Sequence, residues 1–117
     1  MKILVVDDDP LTLEAISNCL KADGNDVIAA GNGFEAISRT KDQHLDLIIS
    51  DIMMPDMSGL SLLCLLKQFY FSPVPVIIIS SLDKADVILS SLGLGADDFI
   101  SKPIDFNRLS SRVNSYA

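Results

Sequence analysis

Three runs along the chain are apolar at consecutive positions: Ile3-Leu4-Val5-Val6, Leu47-Ile48-Ile49 and Val76-Ile77-Ile78-Ile79. They do not alternate with polar residues, and β-branched side chains dominate them. That pattern predicts short strands buried on both faces. Leu45 extends the middle run, so the third strand is read over residues 45–50. Two weaker runs, residues 26–30 and 98–101, complete a set of five strands.

Between the strands, apolar residues recur at helical spacing. Asp9-Pro10 opens the first helix, with Asp as N-cap and Pro at the first helical position. Leu11, Ala15, Ile16, Cys19 and Leu20 mark its inner face, and Asp23-Gly24-Asn25 ends it. A turn at Gly31-Asn32-Gly33 precedes a short helix over residues 34–41, anchored by Phe34 and Ile37. Ser58 caps a leucine-rich helix over residues 60–67, and Ser72-Pro73 and Pro75 then break the chain. Asp83 is the expected cap of a fourth helix over residues 84–92, weakened at its end by Gly93 and Gly95. The last helix, residues 105–116, is expected to bury Phe106, Leu109, Val113 and Tyr116 and to turn Arg108, Ser111, Arg112 and Ser115 outward.

Strand and helix thus alternate five times, with no linker, repeat or low-complexity segment. Doubly buried strands separated by helices predict an α/β fold, a doubly wound parallel sheet with helices on both faces. For five strands the expected order is 2-1-3-4-5, with right-handed crossovers. Ligands of such sheets bind beyond the carboxyl ends of the strands, at the switch point between strands 1 and 3.

The length of 117 residues fits one domain, residues 1–117, large enough to bury a core. Hydrophobic residues make up 49% and charged residues 21%, which excludes a disordered chain. A formal net charge of −7 argues against a nucleic-acid-binding surface, which needs clustered Lys and Arg. Cys19 and Cys64 sit in apolar helical contexts outside any CxxC or Cys/His cluster. They are expected as buried, reduced thiols of a cytoplasmic protein. Met1-Lys2 runs directly into the first strand, so no signal peptide is read, and no apolar stretch reaches membrane-spanning length.

The strand ends carry the chemistry. Asp7 and Asp8 follow the first strand, Asp51 the third, Ser80 the fourth and Lys102 the fifth. Asp51 alone reads equally well as a turn residue. Three carboxylates in one crevice, however, need compensation, since two unit charges about 4 Å apart repel by roughly 4 kcal/mol at an effective dielectric near 20. Either one protonates or a cation binds. Oxygen ligands without His or Cys favour a hard ion, Mg²⁺ or Mn²⁺. A metal, an ammonium and a hydroxyl together suit a transferring phosphoryl group, and a central carboxylate can then act as nucleophile.

Four stretches at these strand ends resemble the receiver domain of two-component response regulators, the CheY-like family. They are Val5-Val6-Asp7-Asp8-Asp9, Asp51-Ile52-Met53-Met54-Pro55-Asp56-Met57-Ser58-Gly59, Pro75-Val76-Ile77-Ile78-Ile79-Ser80-Ser81, and Gly95-Ala96-Asp97-Asp98-Phe99-Ile100-Ser101-Lys102-Pro103. Their order and spacing span essentially the whole chain. The resemblance implies that Asp51 accepts a phosphoryl group from a histidine kinase or a His-containing phosphotransfer protein. It implies Asp8 as a direct Mg²⁺ ligand, with Asp51 and the Met53 main-chain carbonyl, and Asp7 acting through water. Lys102, followed by a cis peptide to Pro103, becomes the phosphate-binding lysine. Ser80 becomes the switch hydroxyl and Phe99 the switch aromatic, which rotates inward when Ser80 moves.

In that family the residues two after the acceptor and two after the switch hydroxyl tune phosphoryl lifetime. They are Met53 and Leu82, both apolar, which implies slow self-dephosphorylation. The family's output face is the fourth helix, fifth strand and fifth helix, used for effector binding or homodimerisation. Asp97, Asp98 and Arg112 are present, but Arg108 replaces a common acid and the fourth helix is nearly uncharged beyond its first turn. This weakens a charge-mediated dimer and leaves the apolar helix as core or as a partner patch. The expected role is a signalling switch and not an enzyme. The enzymatic alternative, a haloacid-dehalogenase-type phosphatase, wants a second Asp two residues after the nucleophile, where Met53 stands.

Overall fold

The computed structural model describes residues 1–117. In chain order the elements are β1 (Lys2–Val6), α1 (Pro10–Ala22), β2 (Asp26–Ala30), α2 (Gly33–Asp42), β3 (Leu47–Asp51) and α3 (Gly59–Cys64). A π-helical turn (Leu65–Phe69) extends α3, followed by β4 (Val76–Ser80), α4 (Ala85–Gly93), β5 (Asp98–Ser101) and α5 (Phe106–Asn114). The five strands pair in the order β2-β1-β3-β4-β5. Every pairing is parallel, as expected from the unbroken apolar runs.

Side-chain alternation splits each strand between two cores. Ile3, Val5, Ile49, Ile77 and Ile79 face one side, where they meet Ile16 and Leu20 of α1 and Leu109 and Val113 of α5. Leu4, Val6, Ile48, Ile78 and Phe99 face the other, against Ala36 of α2 and Leu62, Leu63 and Leu66 of the third helix. Burying each such aliphatic side chain contributes about 2 kcal/mol. A charge set into either core would forfeit that and its own hydration as well. The polar groups are therefore confined to the strand ends, and the parallel arrangement collects those ends on one edge.

Helix starts follow side-chain caps. Asp9 Oδ1 accepts from the Leu11 N–H at 3.2 Å, Asn32 Oδ1 from Glu35 at 2.8 Å, Ser58 Oγ from Ser61 at 3.1 Å and Asp105 Oδ1 from Asn107 at 3.0 Å. Asp83 does not cap α4. That helix starts at Ala85, so its N-cap position falls on Lys84, one residue beyond Asp83, and no side chain caps it. Asp86 supplies an acid to its first turn instead.

Several helix faces differ from the expected ones. Leu11 is 77% exposed, Phe34 63% and Phe106 39%. Ala15 is exposed as well. All lie in the amino-terminal half of their helices, on the side turned away from the neighbours that do reach the core there, Leu13, Ala36 and Leu109. The inner stripe of α1 runs instead through Leu13, Ile16, Ser17 and Leu20. Cys19 and Cys64 are half-buried and unpaired rather than fully buried. Tyr116 is partly buried against the α1/α5 core. On α4, Val87 and Ile88 pack on the core while Leu89 and Leu92 face outward, so the helix serves as both core and surface.

The third helix ends unexpectedly. In its π-turn the Tyr70 N–H bonds to the Leu65 carbonyl at 2.9 Å. Phe71 then adopts φ of 51° while 79% exposed. A bulky side chain in the left-handed region costs about 1–2 kcal/mol, and so much exposure returns little packing. Phe71→Gly is expected to raise unfolding stability by about 1 kcal/mol. Urea denaturation checks this, and a lowered midpoint overturns it.

Candidate functional site

The register brings the strand ends together. Val6 of β1 lies opposite Ser50 of β3, so Asp7 continues beside Asp51. Carboxylate oxygens of Asp7, Asp8 and Asp51 all lie within 4.8 Å of one another. Asp7 is fully buried and Asp51 nearly so, whereas Asp8 is exposed at the mouth. Asp9, the third acid of the run, is used up as the cap of α1. Thr12 Oγ1 donates to it at 2.6 Å, and that bond holds its carboxyl below the ordinary value.

Lys102 reaches the two buried acids from β5. Its Nζ stands 3.0 Å from Asp51 Oδ2 and 3.1 Å from Asp7 Oδ2. Its backbone N–H donates to the Ser80 carbonyl at 2.9 Å, which extends the β4–β5 pairing to the mouth. The Lys102–Pro103 peptide is cis, as expected. Burial pushes the Asp7 carboxyl up, against the Asp9 N–H and Lys102, which pull it down. Burial alone would lower Lys102, but its hydrogen bonds to Asp51 and Asp7 outweigh that and raise it. The ammonium is therefore secured in its charged form.

Three carboxylates facing one ammonium leave an excess of negative charge at oxygen donors. No His or Cys joins the cluster. The donor set fits a hard divalent cation and offers no soft ligand.

Ser80 and Phe99 stand apart from this cluster. Ser80 is fully buried, and its Oγ accepts from the Leu82 N–H at 3.0 Å rather than meeting Asp51. Phe99 is 9% exposed, inside the core beside α3 and α4. The aromatic ring already lies inward in this structure. Met53 and Leu82 are exposed, and the Met53 N–H points to Asp51 Oδ1 at 3.4 Å. Asp98 pairs with Arg112 Nη1 at 2.5 Å and Asp97 accepts from the Val76 N–H at 2.9 Å, so these charges are engaged within the chain.

Two features escaped sequence reasoning. The first is the tight packing of Gly59, which in the sequence is only the last residue of the stretch that begins at Asp51. Its N–H bonds to the Ile52 carbonyl at 2.7 Å, and a Cβ there would stand 1.9 Å from the Asp51 carbonyl oxygen. The signal was present as a glycine at the first position after a Ser cap. The second feature is a groove of about 370 Å³ beside Lys102, lined by Leu11, Ala15, Pro103, Ile104 and Phe106 among others. Leu11, Ala15 and Phe106 in it are residues that the helical pattern assigned to the core.

A doubly wound α/β domain with an acid-rich crevice at its switch point defines the class. The family model described as the response regulator receiver domain matches residues 3–114. The chain belongs to that family, the receivers of two-component systems. It is 33% identical to the probable transcriptional regulatory protein TcrX of Mycobacterium tuberculosis, over 97% of this chain and 48% of that protein. With the DNA-binding response regulator MtrA of Mycolicibacterium smegmatis it shares 35%, over 97% of the chain and 49% of that protein. The chain thus spans about half the length of these curated relatives. The receiver domain of the Francisella response regulator 1452 superposes with TM-score 0.94 at 36% identity, covering 98% of this chain and 94% of that one. CheY in a CheX–CheY–BeF₃–Mg²⁺ complex from Borrelia burgdorferi gives 0.92 at 32%, covering 98% and 87%. No helix is long and apolar enough to cross a membrane.

Gly59→Ala is expected to cost about 2–3 kcal/mol, because backbone rather than a flexible side chain must yield. Thermal and urea unfolding measure it, and a loss below about 0.5 kcal/mol contradicts the close approach.

Proposed function

We propose that this chain is a phosphorylation-gated switch in which Asp51 is the phosphoacceptor. The observation that carries the reading is the Lys102 ammonium, held within 3.1 Å of two buried carboxylates beside a third acid. A structural or capping aspartate needs no such neighbours. An Asp51 carboxylate oxygen attacks the phosphorus of a phosphohistidine, the P–N bond breaks, and the imidazole leaves with the electron pair. The donor is a histidine kinase or a His-containing phosphotransfer protein. The apolar groove beside Lys102 supports this, because it offers such a partner a seat next to the acceptor.

Asp8, Asp51 and the Met53 main-chain carbonyl hold Mg²⁺, with Asp7 acting through water, and Mn²⁺ meets the same donor set. When bound, the ion supplies positive charge for the phosphoryl oxygens. Lys102 moves its hydrogen bond from the Asp51 carboxylate to the phosphoryl group and keeps its pairing with Asp7. Ser80 gives up its place under the Leu82 N–H and donates its hydroxyl to a phosphoryl oxygen. That motion pulls the loop ahead of α4. Phe99, already inward, packs behind it, and the change is read on α4, β5 and α5 by an effector or a second copy. With Asp98 and Arg112 paired internally, the exposed Leu89 and Leu92 are the more available contacts. The domain catalyses only its own phosphorylation and slow dephosphorylation, and it works in the cytoplasm. The presence of beryllofluoride and Mg²⁺ in the Borrelia complex supports the same chemistry for this fold.

Acetyl phosphate with Mg²⁺ is expected to phosphorylate the wild-type chain and leave Asp51→Asn unmodified by intact mass. Phosphorylation of the mutant overturns the assignment. The phosphorylated wild type is expected to persist for minutes or longer, and loss within seconds contradicts the tuning role of Met53 and Leu82. Asp7→Asn removes one buried charge while Lys102 keeps Asp51. In chelator it is expected to stabilise the chain by about 1 kcal/mol. The stabilisation that Mg²⁺ gives the wild type, about 1.4 kcal/mol at ten times its Kd, should shrink in the mutant. Thermal melts with and without Mg²⁺ check both, and an equal Mg²⁺ response in the two proteins contradicts the ligand role.

A further inference from the structure

The chain carries four methionines, and the fold treats one of them differently. Met54 is 9% exposed within the core beside α3, and Met57 packs against that same core. Met1 packs on the opposite core. Met53 belongs to neither core and is 55% exposed. It lines a recess of about 460 Å³ together with Asp8, Ile52, Met54, Pro55 and Ser58. Its own N–H points at Asp51 Oδ1. The thioether therefore stands where solvent enters beside the acceptor carboxylate, and it has no packing to shield it.

We propose that Met53 is a reversible oxidation site through which a hydroperoxide shortens the phosphoryl lifetime of Asp51. The proposal rests on the reading of Asp51 as the phosphoacceptor. In the oxidation, the thioether sulfur attacks one peroxide oxygen and the O–O bond breaks. With hydrogen peroxide the products are the sulfoxide and water, the sulfur losing the two electrons that the peroxide gains. The change converts an apolar side chain into one carrying a strong hydrogen-bond acceptor. An apolar Met53 gives no hold to a water beside Asp51, whereas a sulfoxide oxygen can accept its O–H and orient its lone pair toward phosphorus. Water then adds to phosphorus and the bond from phosphorus to the Asp51 oxygen breaks. The carboxylate leaves with the electron pair, and inorganic phosphate is released with the water's proton passing to solvent. One such hydrogen bond corresponds to an about fivefold faster hydrolysis.

The test loads the purified chain with acetyl phosphate and Mg²⁺, treats one half with hydrogen peroxide, and follows loss of the phosphoryl group. Peptide mapping by mass spectrometry reads which methionine gains one oxygen. The expected result is oxidation of Met53 ahead of Met54, Met57 and Met1, with an about fivefold shorter lifetime. Methionine sulfoxide reductase should restore the lifetime. Met53→Leu, which lacks the sulfur, should lose the response to peroxide, and Met53→Gln should be short-lived without it. Stoichiometric oxidation of Met53 with an unchanged lifetime overturns the proposal. So does an equal response in Met53→Leu, or prior oxidation of a packed methionine. Absence of phosphoryl-Asp51 before peroxide is added overturns the reading of the site itself, and the effect on lifetime falls with it. That failure is told apart because it appears in the untreated half.

Discussion

The structure turns on one ammonium shared between two buried carboxylates. Lys102 bonds to Asp7 and Asp51 at nearly equal distance, from the end of β5, which lies two places from β3 and three from β1 in the sheet. Without it, two acids shielded from water would face each other and a third nearby. Repulsion of roughly 4 kcal/mol per close pair is a large fraction of the stability of a domain this size. With it, the crevice still carries more negative charge than positive. That residual charge suits a cation, and it leaves the lysine free to exchange one oxygen partner for another. The parallel sheet makes this arrangement feasible, because every strand delivers its last residue to the same edge.

The period of two along each strand divides labour across the sheet. Asp51 continues the series Leu47, Ile49, and Asp7 the series Ile3, Val5, both on the face shared with α1 and α5. Lys102 continues from Ile100 on that same face. Ser80 follows Val76 and Ile78, and with Phe99 it belongs to the face shared with α3 and α4. The charged cluster and the hydroxyl–aromatic pair thus sit on opposite sides of one rigid sheet.

The loop after Asp51 is held from three sides. Gly59 closes on the Ile52 and Asp51 carbonyls, Asp56 accepts from the Phe34 N–H at 3.5 Å, and Met57 lies against Gly33 where no Cβ would fit. These contacts tie the loop after Asp51 to the start of α2. Met53, Pro55 and Asp56 are the side chains of this loop that the scaffold leaves to solvent, and Met53 is the apolar one nearest Asp51 in the chain.

The strands, their order and the site cluster were legible because they depend on local rules. A doubly buried strand must be continuously apolar, and its end is marked by the first charged residue. Asp9, Ser58 and Asp105 cap helices through contacts two or three residues away, so their roles stand in the sequence. Leu11, Ala15, Phe34 and Phe106 are exposed against expectation because helical spacing names a face without saying which of its positions the neighbouring elements cover. The π-turn, the left-handed Phe71 and the absent cap on α4 depend on how a chain segment must close onto β4, which no local pattern records. By itself the sequence determined that Asp7, Asp8, Asp51 and Lys102 meet at the switch point, since strand ends and parallel order suffice for that. Only the tertiary structure decided how they are partnered. It set Lys102 on Asp7 and Asp51, Ser80 on its own loop, Phe99 inside and Met53 outside, because distances between strands and burial at their ends arise from packing.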